Sequence, residues 1–146
     1  MKKLLLALSA LAFATSAVQA DAIADRKAIM KERGQIVGGL SKVAKGETPF
    51  DAEAVKTQLA ALNANEEKFD IEALFPAGSE TGGETTAAPA IWSDMAGFKA
   101  ANEKMAAATK AAVDASPADV AALGAALGPI GQACGGCHET FRIKKN

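Results

Sequence analysis

Near the C-terminal end of this 146-residue chain, two thiols and one imidazole stand in the order Cys134-Gly135-Gly136-Cys137-His138. They are the only cysteines and the only histidine present. Residues three apart on a helix share a face, so both thiols can add to one flat molecule while the adjacent imidazole binds a metal at its centre. C-x-x-C-H is the attachment pattern of a c-type haem. Cys134 and Cys137 are expected to reach the two vinyl groups, His138 to be the proximal iron ligand, and the two glycines to leave room for the macrocycle.

Other chemistries of two thiols fit less well. A redox dithiol belongs beside a βαβ pattern, and no strand alternation is visible. A structural zinc site needs four ligands, and Cys and His together supply three. A disulfide within one helical turn would leave His138 unexplained. No second histidine is available for acid–base work, no nucleophile has a base beside it, and no glycine-rich phosphate loop follows a strand. The reading is therefore one covalent haem c per chain and no enzyme activity, a haem peroxidase being disfavoured by the missing distal histidine.

The chain opens with the layout of a secretory leader. Lys2 and Lys3 precede an apolar run from Leu4 to Ala14, and Val18-Gln19-Ala20 offers a small-residue cleavage site before Asp21. The run is too short to cross a hydrocarbon core of about 30 Å. Residues 1–20 are thus expected to be a signal peptide and residues 21–146 one periplasmic domain, with no membrane span after cleavage. Removing the leader takes away two lysines and no acid, so the formal charge moves from −1 to −3. A mildly acidic domain is a poor partner for nucleic acid.

The haem motif needs a helix to carry it, and the remaining sequence supplies four. Tyrosine is absent, aromatics make up 5% and β-branched runs are missing, so the domain reads as all-α. A first helix is expected from about Ala22 to Ala44, with Ile29, Met30, Ile36, Val37, Leu40 and Val43 on its apolar face and Gly46 and Pro49 ending it. Asp51 caps a second, reaching to about Leu74, with Val55, Leu59, Leu62 and Phe69 inward and Lys56, Glu66, Glu67 and Lys68 solvated. Pro76 to Pro89 forms a long loop of functional length. A third helix follows, carrying Ile91, Met95, Phe98, Asn102, Met105, Thr109 and Ala112. Ser116-Pro117 opens the fourth, on which Val120, Leu123, Leu127, Ile130, Cys134, Cys137 and Phe141 form one stripe. Pro129, between Gly128 and Gly131, is expected to kink or interrupt it. Four such helices make an up-down-up-down four-helix bundle.

The stretch from Cys134 to Lys145, with Phe141 and Arg142 soon after the histidine, resembles the end of a class II cytochrome c, the cytochrome c′ family. Arg26-x-x-x-Met30 and Ile91-Trp92-Ser93-Asp94 fit the same resemblance, which covers residues 21–146 and implies the four-helix bundle independently. It also implies that Met30, four residues after Arg26, lies over the distal face of the iron. The sequence Arg26-Lys27-Ala28-Ile29-Met30-Lys31 is most like the low-spin branch, in which methionine and histidine ligate together. That implies a one-electron carrier working between redox partner proteins. The alternative is a five-coordinate, high-spin protein that binds a small gas such as NO or CO. Met95 and Met105 are read as core.

The remaining positions carry smaller roles. Arg142 is expected either to pair with a haem propionate or to end a helix in solvent, and Arg26 to meet a propionate or, more simply, to be solvated. Lys144 and Lys145 complement the helix dipole or steer an acidic partner. Trp92 is a packing anchor. Monomer and homodimer both remain open.

Overall fold

A computed structural model describes residues 5–144, with side chains from residue 21 onward. Lys2, Lys3 and Lys145 lie outside the described residues, as do the side chains of the leader. Six helices follow in order: α1 (Leu5–Ala44), α2 (Ala52–Glu67), α3 (Ile71–Leu74), α4 (Ala90–Ser93), α5 (Met95–Ala115) and α6 (Val120–Phe141). The four long ones pack in a closed ring, α1 against α2 and α6, and α5 against α2 and α6.

Two apolar clusters reveal the direction of each helix. Leu40 near the end of α1, Val55 near the start of α2, Ala112 near the end of α5 and Leu123 near the start of α6 share one cluster. The other gathers Phe98 from the start of α5 and Phe141 from the end of α6 with Phe69, Ile71, Leu74, Phe75 and Ile91, and Met30 packs against it. Consecutive long helices therefore run antiparallel, which makes the bundle up-down-up-down. Among the described residues there is no strand, only an isolated antiparallel bridge between Ala87 and Arg142.

Several element boundaries differ from the sequence reading. The first helix extends back to Leu5, because the Leu- and Ala-rich stretch before Ala22 contains no helix breaker. It ends where expected, with Gly46 at φ +74° and its N–H donating to Val43 O at 3.0 Å. Asp51 caps α2, its carboxylate accepting from Ala54 N at 2.7 Å.

That helix stops at Glu67 rather than near Leu74. Asp70 accepts from Glu72 N and Ala73 N and starts the separate turn α3. The third helix is likewise divided: Asp94 leaves helical geometry at φ −134°, ψ 60° and caps α5 by accepting from Gly97 N at 2.9 Å. A Cβ at position 97 would run into that carboxylate.

Ser116 does not open the fourth helix. It ends α5 in a left-handed conformation at φ 42°, and Asp119 caps α6 by accepting from Ala122 N at 2.8 Å. Nor does Pro129 interrupt α6, which is continuous through it. A proline ring crowds the Cβ of the residue before it, and Gly128 has none.

Candidate haem site

The motif helix and α1 face each other across a cavity of about 650 Å³ at the aromatic end of the bundle, well within the range of cofactor sites, about 300–1,000 Å³. Its walls include Phe69, Phe75, Ile91, Phe98 and Phe141. These rings stack edge to face, Phe98 lying 4.8 Å from Phe75 and 5.2 Å from Phe141 between centroids. The periodicity had placed Phe69, Phe98 and Phe141 on inward faces. Phe75 follows α3, where no helical repeat points to it.

His138 and Cys137 enter the cavity lining from α6, and Met30 enters it from α1. The structure thus brings together an imidazole, a thiol and a thioether separated by about a hundred residues of chain. Cys134, one turn before Cys137, is half-buried against the other cluster, its Sγ 3.8 Å from Met105 Sδ. Gly135 and Gly136 are exposed, and a Cβ on either would meet open space.

Burial pushes both thiols above their ordinary pKa, and the Arg33 guanidinium partly offsets this. Partial burial, with Arg142 and Arg33 nearby, lowers the pKa of His138, which remains exposed on α6, and so favours the neutral imidazole, the form that ligates a metal. Among the described residues no group of three or more His, Cys, Asp or Glu is arranged to hold a metal ion.

Arg26 corrects the expectation of a solvated side chain. Only 4% exposed, it donates from Nη1 to Leu74 O at 3.1 Å and Ser79 Oγ at 3.0 Å, and from Nη2 to Ser79 O and Thr85 Oγ1, both at 2.7 Å. Its Cζ also sits 4.9 Å from the centre of the Phe75 ring. Burial lowers its pKa, opposed by Glu80. The guanidinium is committed to the loop between α3 and α4, although it still lines the cavity.

That loop also borders the cavity. Thr85, Thr86 and Ala87 line it, and the strand-like pairing of this segment with the end of α6 runs through Ala88 N to Phe141 O at 3.0 Å and Ile143 N to Thr86 O at 2.8 Å. Arg142, in the same bridge, is exposed and on the cavity lining. Lys144 is exposed. Trp92 anchors the loop from α4, donating from Nε1 to Phe75 O at 3.2 Å.

Sequence reasoning missed the charges behind the wall. Glu66, grouped with solvated residues, is 9% exposed and pairs with the equally hidden Arg33, Nη2 to Oε1 2.8 Å. Only the position of Glu66, four residues after Leu62 on the inward face of α2, signals its burial. The donor set of the cavity suits the iron of a haem, which is commonly held by a proximal histidine, with methionine as a second ligand in electron carriers. Its aromatic and aliphatic walls suit the apolar macrocycle.

A family model described as cytochrome c′ matches residues 21–142. A cytochrome c-556 from Agrobacterium tumefaciens (strain II Chrys) is 41% identical over 120 residues, covering 82% of this chain and 95% of the relative. The solved cytochrome c′ from Rhodopseudomonas palustris is 43% identical with a TM-score of 0.79, over 86% of this chain and 98% of that one. A point variant of cytochrome c prime from Alcaligenes xylosoxidans, solved as its nitric oxide complex, is 31% identical with a TM-score of 0.77, over 87% of this chain and 97% of that one. The chain belongs to the cytochrome c′ family and is a single-haem c-type cytochrome with one covalently bound haem c.

Proposed function

We propose that this protein is a periplasmic one-electron carrier whose haem occupies the cavity between α1 and α6, bonded to Cys134 and Cys137, with His138 proximal and Met30 distal. The observation that carries this reading is that Met30 and His138 line one cavity from opposite helices. A methionine on a flexible stem is suited to reach a metal from a neighbouring helix, and Met ligation raises the reduction potential. When bound, the haem supplies a reversible one-electron couple at iron. The chain's residues do the rest. Aromatic walls would pack against the macrocycle, the imidazole of His138 would bind the iron, and the segment from Thr85 to Ala87 borders the cavity with Arg142, which would be available to a propionate. Lys144, which is exposed, would steer an acidic redox partner, and Lys145 adds a second cation next in sequence. The leader pattern at residues 1–20 supports export.

A high-spin, gas-binding role is the second reading, favoured by the relative from Alcaligenes xylosoxidans that binds nitric oxide. Optical spectroscopy separates the two. The carrier reading expects a low-spin spectrum in both oxidation states, with a methionine-to-iron charge-transfer band that vanishes in Met30→Ala. A high-spin spectrum of the unaltered protein with rapid CO uptake would replace it with the second reading.

A further inference from the structure

Behind the cavity wall the bundle holds a buried charge pair that the reading above does not use. The side chains of Arg33 and Glu66 are 8% and 6% exposed, whereas the ion pairs Lys68–Glu32, Lys99–Glu72 and Lys110–Asp114 lie in solvent. The two partners are held very differently. Arg33 donates from Nε to Asn65 Oδ1 at 3.0 Å, and the fully buried Asn65 is itself fixed by donating to Ile29 O at 3.1 Å and Glu32 Oε2 at 2.8 Å. Glu66 has only the 2.8 Å contact of its Oε1 with Arg33 Nη2, and no neutral side chain or backbone N–H among the described residues donates to either of its oxygens. A buried carboxylate whose charge is offset by a single cation and by no further donor is poised to bind a proton.

The pair abuts the cofactor cavity. Arg33 Cζ is 5.0 Å from the centre of the Phe69 ring, which forms part of the cavity wall, and Gly34 beside it lines the same cavity. The groups facing Glu66 are few. From α1 comes Arg33, and from α6 Cys134 and Cys137, both within its electrostatic reach. The buried face of α5 brings Met105, Thr109 and Ala112 and no ionisable group, since Lys99, Glu103, Lys104, Lys110 and Asp114 are exposed. On α2 itself Glu67 is exposed and bonded to Asn63.

We propose that Glu66, backed by Arg33, is the redox-linked proton site of this cytochrome: it binds one proton from solvent water as one electron arrives from a protein donor, and releases it when the electron leaves. This rests on the haem occupying the cavity proposed above. The added negative charge behind the Phe69 wall favours the neutral carboxyl, forming its O–H bond, and the site then stays electrically balanced around the fixed Arg33 cation. Burial already pushes Glu66 above the ordinary carboxylate range, against the pull of Arg33.

The test is spectroelectrochemical titration of the holoprotein between about pH 4 and 8, the span bracketing a raised carboxyl. The potential of the unaltered protein is expected to fall as pH rises, by about 59 mV in total for a tenfold difference in proton affinity between the two oxidation states. Glu66→Gln is expected to remain flat near the acid limit. A Glu66→Gln protein that keeps the original pH dependence overturns the proposal. Should that variant not fold, redox-difference infrared spectra of protein labelled with ¹³C-carboxyl glutamate decide it: a labelled carboxyl band gained on reduction and lost in Glu66→Asp supports Glu66, and absence of the band, or its persistence in Glu66→Asp, overturns the proposal. Mass mapping of the peptide carrying Cys134 and Cys137 locates the haem separately, so a misplaced haem and an uncoupled Glu66 give different results.

Discussion

At the scale of single residues, the chemistry divides between a local motif and partners far off in sequence. Cys137→Ala is expected to leave at most one thioether, read as an altered pyridine haemochrome spectrum and incomplete haem retention under denaturing electrophoresis. Full retention with an unchanged spectrum would remove the attachment assignment. Arg26 illustrates the opposite situation, in which a charged residue near a cofactor site is committed to the fold. Its four hydrogen bonds hold Leu74, Ser79 and Thr85, and removing one partner of a buried charged set strands the others. Arg26→Ala is expected to cost about 3 kcal/mol, measured by urea unfolding, and to expose residues 76–89 to limited proteolysis.

At the scale of elements, four helix starts are capped by aspartates, Asp51 as expected and Asp119 in place of the expected Ser116-Pro117. Asp51, Asp70, Asp94 and Asp119 each accept a backbone N–H one turn onward. Asp119→Ala is expected to lower stability by about 1 kcal/mol, seen as a drop in the midpoint of thermal unfolding. The uninterrupted α6 carries a sharper expectation, because Gly128 and Pro129 compensate one another. With Pro129 in place, Gly128→Ala is expected to destabilise, since the new Cβ meets the ring. In a Pro129→Ala background the same change is expected to stabilise by roughly 0.5–1 kcal/mol, the usual advantage of alanine over glycine in a helix. A double-mutant cycle by denaturant unfolding checks the change of sign. By length and apolarity alone α6 would pass for a membrane span, with a mean hydropathy of 1.3 over its most apolar window. In the bundle it instead packs against α1 and α5.

At the scale of the whole molecule, one buried ion pair gives folding its own pH dependence. Glu66 has its pKa raised in the fold, chiefly by burial, so between the unfolded and folded values the native state holds the extra proton. Stability contributed by Glu66 is therefore greatest at low pH and declines as pH rises through the folded value. Unfolding free energy measured across that window is expected to decline with pH in the unaltered protein and to lose this slope in Glu66→Gln. The two clusters that fill the bundle divide the work: the aliphatic one around Leu40, Leu59, Leu62 and Ile130 holds the four helices together, and the aromatic one walls the cavity.

The sequence by itself determined the cofactor, the helical class and most of the inward faces, Val120 of the α6 stripe being exposed instead, because each depends on spacing along one segment: three residues between thiols, three and four between core positions. The residues that end helices were only partly legible, since Ser116 and Asp119 are both competent caps, and packing of the connection decided which one caps α6. Tertiary structure alone decided the rest. Whether Arg26 and Glu66 meet water or protein depends on how α1, α2 and α6 come together across segments far apart in the chain. A charged residue four positions from a core leucine reads as solvated until a cation from another helix arrives to bury it.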